Sequence, residues 1–248
     1  MNPSGAAGLG LVSAASWGGS DFLGGLGSRR APALLVVASG HLVSLFVLLA
    51  VCLGAHWAIP GRHDLVFAAV AGFEGSLALA LFYRALAMGA MGLTAALTGL
   101  LTALVPVLFS LLHDGLPSPL TAAGLGLGLG AIWLITHTPA APDSVEKQAA
   151  TPPAALLLGA LAGTGFGAQL ILFKFASGGN LLWVMTSARG AGVAAMLLVL
   201  LVAPPKAPWR GFWLYGILAG SLDTIGNLFY IQTTRLGRLD AAAVVCSL

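Results

Sequence analysis

The sequence predicts an all-α polytopic membrane protein, on three observations: long apolar runs, very little charge, and a second half that repeats the first. Hydrophobic residues fill 58% of the 248 positions and charged residues only 8%, where a soluble domain carries roughly a quarter Asp, Glu, Lys and Arg. Such a chain cannot cover a water-exposed surface with polar groups. The hydrocarbon core of a bilayer is about 30 Å thick and is crossed by about 20 apolar helical residues, so the length suits one bundle of about eight to ten spans. A membrane barrel would need alternating segments of about ten residues, which these runs are not.

Polar or proline-rich breaks divide the runs. The first two spans are predicted at Gly8 to Gly27 and Ala33 to Gly54, separated by Ser28-Arg29-Arg30-Ala31-Pro32. The third runs from Leu65 to Ala87 and the fourth from Leu93 to Leu112, with a glycine turn between them. A fifth, Leu120 to Ile135, precedes the longest polar stretch, Thr138 to Pro153, which reads as a linker. Then come Ala154 to Phe173, Leu181 to Ala203, Phe212 to Gln232, and a ninth span that starts near Ala241 and is cut short at Leu248. The expected units are therefore residues 1–137, a linker at 138–153, and 154–248.

Eleven Lys and Arg against eight Asp and Glu are scattered singly, which excludes a nucleic-acid surface. Loop charges nearly balance on the two sides, so they assign no orientation. Cys52 and Cys246 sit in apolar runs without metal spacing and read as buried thiols. Neither a metal site nor a cofactor is expected. The first apolar run has no basic leader and is read as a span rather than a cleaved signal.

The repeat is visible in Leu81-Phe82-Tyr83, which recurs as Leu228-Phe229-Tyr230 at an offset of 147, each followed by a glycine turn, Gly89 or Gly237. Trp17-Gly18 corresponds to Phe166-Gly167 at offset 149. Five spans per half is an odd number, so the second copy enters the membrane from the other side. That gives an inverted repeat of five helices each, ten expected in all, with a site anticipated at the repeat interface near the midplane.

The stretch Leu81-Phe82-Tyr83-Arg84-Ala85-Leu86-Ala87-Met88-Gly89-Ala90 resembles the junction of the third and fourth helices in the EamA-like transporters of the drug/metabolite transporter superfamily. The likeness spans both halves. It implies two five-helix repeats, alternating access, and transport of amino acids, related metabolites or cationic drugs in either direction across the plasma membrane. It also implies that a tenth helix would follow Leu248. Two departures stand out. The family's Tyr-Pro pair near Leu101-Thr102 is replaced by Pro106, and its Gly-Glu-Arg after the fourth helix by Asp114-Gly115-Leu116.

Ionisable groups inside a membrane are costly, which makes each a functional candidate. Glu74 and Asp223 lie mid-span at an offset of 149. Asp223 is followed at helical spacing by Asn227 and Tyr230, and preceded by Gly216 and Gly220, which marks one polar, small-residue face. Arg189 needs a partner, since guanidinium keeps its charge; Asp223, Glu74 or a ligand carboxylate would serve. Trp17 precedes Asp21 by one turn, beside Ser13, Ser16 and Ser20. His41 can exchange protons near neutral pH or be a packed, hydrogen-bonded residue. Thr94, Thr98 and Thr102 form one stripe, and Tyr83 joins the candidates from the repeat motif. Arg84 and Lys174 read as snorkelling at span ends. The glycines at 124, 126, 128 and 130 form small-xxx-small patterns, a face for another helix or another copy of the chain.

Three function classes were weighed on these residues. A secondary transporter would use midplane charges in both repeats and a small-molecule substrate, with proton coupling through a carboxylate. An intramembrane enzyme would need a nucleophile and base, a metal cluster or a phosphate loop, and none of these patterns is present in the sequence. A structural membrane subunit would need no midplane charge. The transporter is the expected class, and no enzyme activity is expected.

Overall fold

The computed structural model describes residues 3–89, 91–117, 151–205 and 211–247, with isolated positions between 119 and 134. Of the predicted fifth span only isolated positions are described, among them Gly124, Gly126 and Gly130, and most of the linker lies outside the described residues. Eight continuous helices are described, and among the described residues there is no strand. They are α1 (Pro3–Ser28), α2 (Ala33–Gly54), α3 (Arg62–Met88), α4 (Met91–His113), α5 (Pro153–Phe175), α6 (Leu181–Val202), α7 (Phe212–Leu236) and α8 (Leu239–Cys246).

Local chemistry sets their ends. Pro32 precedes α2, and prolines open α5, where a missing N–H costs nothing. Asn180 caps α6, its side-chain oxygen accepting from the N–H groups of Leu182 at 3.0 Å and Trp183 at 3.2 Å. Gly89 and Gly237, the repeated turn glycines, end α3 and α7 in extended backbone.

Five helices, α2 to α6, are long and apolar enough to cross a membrane, as in an integral, multi-pass membrane protein. Their outer faces fit that setting, with Leu42, Phe46, Val47, Val51 and Leu53 of α2 and Leu197, Leu198 and Leu201 of α6 all exposed. Apolar surface on that scale is foreign to a soluble monomer. Helices α1 and α7 are as long but fall short in apolarity, because α1 gives positions to Gly, Ser and Asp21, and α7 to Gly, Ser, Thr and Asp223. These two pack more extensively on each other than any other pair. The polar faces counted on for spanning helices are thus turned inward.

Close backbone approach explains several glycines. A Cβ on Gly40 of α2 would lie 2.6 Å from the Gly216 carbonyl oxygen of α7, so only hydrogen fits that crossing. Gly163 of α5 is similar, with a Cβ there 2.5 Å from the Thr98 carbonyl oxygen of α4. Such crossings are how membrane helices gain contact without a hydrophobic drive between them.

Two apolar clusters fill the interior. One gathers Leu170, Phe173, Met185, Tyr230 and Ile231, and the other Val36, Phe82, Tyr83, Leu86 and Met196. Each contains one of the repeat-related tyrosines. Tyr83 shares a 2.9 Å hydrogen bond with Ser20 of α1, and Tyr230 donates to the Leu170 carbonyl of α5 at 2.9 Å. In both halves the third helix is thereby tied to the first. A basic residue closing that first helix does the same: Arg29 donates to the Gly89 carbonyl and Lys174 to that of Thr234. Lys174 thus reaches a helix terminus rather than merely snorkelling.

Candidate functional site

A cavity of about 300 Å³ lies between the halves, with walls from α1, α3 and α4 on one side and α5, α7 and α8 on the other. Residues singled out in the sequence line it, among them Trp17, Asp21, Thr98, Thr102, Asp223 and Asn227. Trp17 and Asp21 are one turn apart on α1 and so share a face. Trp17 lies over Gly226, where a Cβ would meet its ring, and its centroid is 5.8 Å from that of Tyr230. Ser13, a turn earlier, donates to the Gly226 carbonyl at 2.8 Å. Of the α1 serines, Ser13 thus ties α1 to α7, Ser20 ties it to α3, and Ser16 bonds back to the Val12 carbonyl.

The threonine stripe of α4 is shared between packing and cavity. Thr98 donates to the Gly159 carbonyl of α5 at 3.0 Å, and Thr102 bonds back to the Thr98 carbonyl at 2.9 Å. Thr98 and Thr102 also line the cavity. Gln169 of α5 was not singled out in the sequence. It lines the cavity and donates from Nε2 to the Ala71 carbonyl at 3.1 Å. A lone amide in the middle of a predicted span was the available signal. Phe82 and Phe166 add an aromatic wall, edge to face at 5.7 Å.

Beside this cavity a polar chain crosses four helices. Arg189 of α6, 5% exposed, donates from Nη2 to Asp223 Oδ2 at 2.6 Å and from Nη1 to His41 Nδ1 of α2 at 2.9 Å. Guanidinium has donors only, so Nδ1 of His41 must accept. Nε2 then carries the proton and donates to Ser76 Oγ of α3 at 2.8 Å, while Ser76 donates to the Gly72 carbonyl. His41 is a neutral imidazole that orients the guanidinium. Asn227 completes the arrangement, donating from Nδ2 to Asp223 Oδ1 at 3.1 Å and to the Asp223 carbonyl at 2.8 Å. His41 and Arg189 are 148 residues apart, close to the repeat step, so corresponding positions of the two halves meet.

The remaining candidates have other surroundings. Glu74 is half-buried, with Oε1 against Gly165 of α5 and Oε2 buried without a hydrogen-bond partner, and it is not among the cavity's lining residues. Arg189 is therefore paired with Asp223 and not with Glu74. Tyr83 and Tyr230 are buried in the clusters described above. Asp21 is half-buried, lines the cavity, and has no hydrogen-bond or ion-pair partner among the described residues.

No protein-family profile matches the chain, and no curated protein sequence matches it. Solved structures do match. One crystal structure of a protein aligns with 98% of this chain and 85% of its own, with a TM-score of 0.66 and 19% sequence identity. The two share a fold. At that identity the likeness says nothing about activity.

Proposed function

We propose that this protein is a secondary transporter for small organic solutes, related to the EamA-like drug/metabolite transporters, built as two inverted repeats and working by alternating access in the plasma membrane. The observation that carries the reading is the cavity between the halves, walled by both and lined with carboxylates, hydroxyls, amides and aromatic rings. Solute sites at a repeat interface are the general arrangement in such proteins.

The helix contacts support the repeat. Exchanging the halves turns α1 on α7 into α5 on α3, and α2 on α7 into α6 on α3, and all four contacts are extensive. The pairs α2 with α6 and α4 with α8 map onto themselves. In this reading the bilayer and a small solute are the partners, a proton serves as coupling ion, and the solute leaves chemically unchanged. Rocking of one half against the other would open the cavity to each side in turn.

The test is flux. The full chain is reconstituted in liposomes and a panel of amino acids and small amines is followed with and without a proton gradient. Expected is saturable flux of unchanged solute that Asp223→Asn reduces by about tenfold or more, since the buried guanidinium loses its counter-charge. Absence of protein-dependent flux for the whole panel in both gradient directions overturns the proposal.

A further inference from the structure

We infer that the cavity is a site for a small organic monocation, with Asp21 as its counter-charge and the Trp17 ring as a second contact; this rests on the cavity being the solute site. The argument begins with charge. Asp21 and Asp223 are the acidic residues in the cavity wall, and no described lining residue is basic. Asp223 is already compensated, by Arg189 at 2.6 Å and by the Asn227 amide at 3.1 Å. Arg189 gives one N–H to Asp223 and one to His41, and it makes no described hydrogen bond or ion pair to Asp21. His41 is neutral in that network. What remains is one carboxylate on α1, lining the cavity, with no described partner.

Hydrogen-bond direction points the same way. Asn227 is 3% exposed, both its amide protons go to Asp223, and its Oδ1 is buried without a donor. Thr98 and Thr102 give their protons to backbone carbonyls, and Gln169 directs Nε2 to one. Both threonine protons are thus spent inside the protein, while Gln169 keeps one N–H beyond its bond to Ala71. A buried acceptor without a donor is expensive, so an occupant carrying N–H groups or a positive edge meets a need the protein leaves open. Trp17 adds a ring face, to which cations are drawn most strongly among aromatic side chains.

Size and sign exclude other classes. A volume of about 300 Å³ is at the small end for ligand pockets. An anion would meet two carboxylates and no described lining cation, and with a neutral solute a proton rather than the occupant would have to neutralise Asp21.

The experiment measures equilibrium binding to the full chain in lipid nanodiscs by calorimetry, with probes of one shape and different charge. Phenethylammonium and tetraethylammonium are the cations, 2-phenylethanol the neutral probe and phenylacetate the anion. Expected is saturable binding of at least one cation and of neither other probe. Asp21→Asn weakens that binding by about tenfold or more, Asp21→Glu keeps it, and Glu74→Gln, outside the cavity, leaves it unchanged. The charge selectivity of the unmodified protein is informative even where a variant fails to fold. Equal or tighter binding of phenylethanol or phenylacetate, absence of saturable binding for both cations, or full binding by a folded Asp21→Asn variant would each overturn the inference. Flux of neutral or anionic solutes that ignores Asp21 would leave the transport reading standing while this inference fails. Asp21-dependent cation binding without flux does the reverse.

Discussion

Glu74 and Asp223 occupy matching positions of the two halves, 149 residues apart, yet their surroundings differ in almost every respect. Asp223 faces a cavity and is met by Arg189 and Asn227. Glu74 lies against the Gly165 backbone of α5, with one oxygen buried and unbonded. The offset of the proposed repeat relates the two carboxylates in sequence. The partners that decide what each carboxylate does are not related in the same way. The Asp223 region is a network in which removal of one member strands the next, with Arg189 Nε and Asn227 Oδ1 left buried without partners. The Glu74 region has no such chain.

That contrast predicts a graded series of stability losses, read as thermal or denaturant unfolding of the purified protein in detergent. The largest belongs to Arg189→Leu, which leaves Asp223 charged and buried and should cost about 3–5 kcal/mol. The paired change Arg189→Leu with Asp223→Leu should recover much of it, because apolar replacement of a whole buried pair is often near neutral. A pair of changes that simply add would contradict the network. His41→Leu comes next, at about 1–3 kcal/mol, since it strands one guanidinium nitrogen and the Ser76 hydroxyl.

Tyr83→Phe and Tyr230→Phe should each cost about 0.5–1.5 kcal/mol. Near equality is the informative outcome, because the two hydroxyls tie equivalent helices together in the two halves. A loss confined to one half would break the correspondence. Glu74→Gln should be smallest, within about 0.5 kcal/mol of the unmodified protein. A loss comparable to that of Arg189→Leu would mean that Glu74 has a partner as important as that of Asp223.

Much of the helix order could be read from apolar runs, and described boundaries fall within a few residues of the breaks. The exceptions are physical. Span α7 continues past Gln232 to Leu236, because its threonines bond to their own helix or remain inside, as Thr233 does with the Phe229 carbonyl. Hydropathy alone separates α1 and α7 from the other long helices, although they form the most extensively packed pair, since burial against each other makes their small and polar faces affordable.

Within the site, periodicity located the Trp17–Asp21 face and the polar face of α7, because residues one turn apart share a direction. Which way a helix is rotated about its axis is not carried by spacing. The repeat offset therefore pointed to Glu74 and left its facing open. Contacts between distant segments were equally hidden: nothing near His41 in sequence announces Ser76 on one side of its ring and Arg189 on the other.

The proposal that the cavity is a solute site serving both sides of the membrane is tested most directly by access. In a variant with Cys52→Ala and Cys246→Ala, a single cysteine is introduced at Ala96, in the cavity wall, and the reconstituted protein is exposed to a membrane-impermeant maleimide from one face or the other. The account predicts labelling from both faces, slowed from both by a bound solute. Labelling from one face alone, or rates indifferent to every solute that is carried, would contradict it.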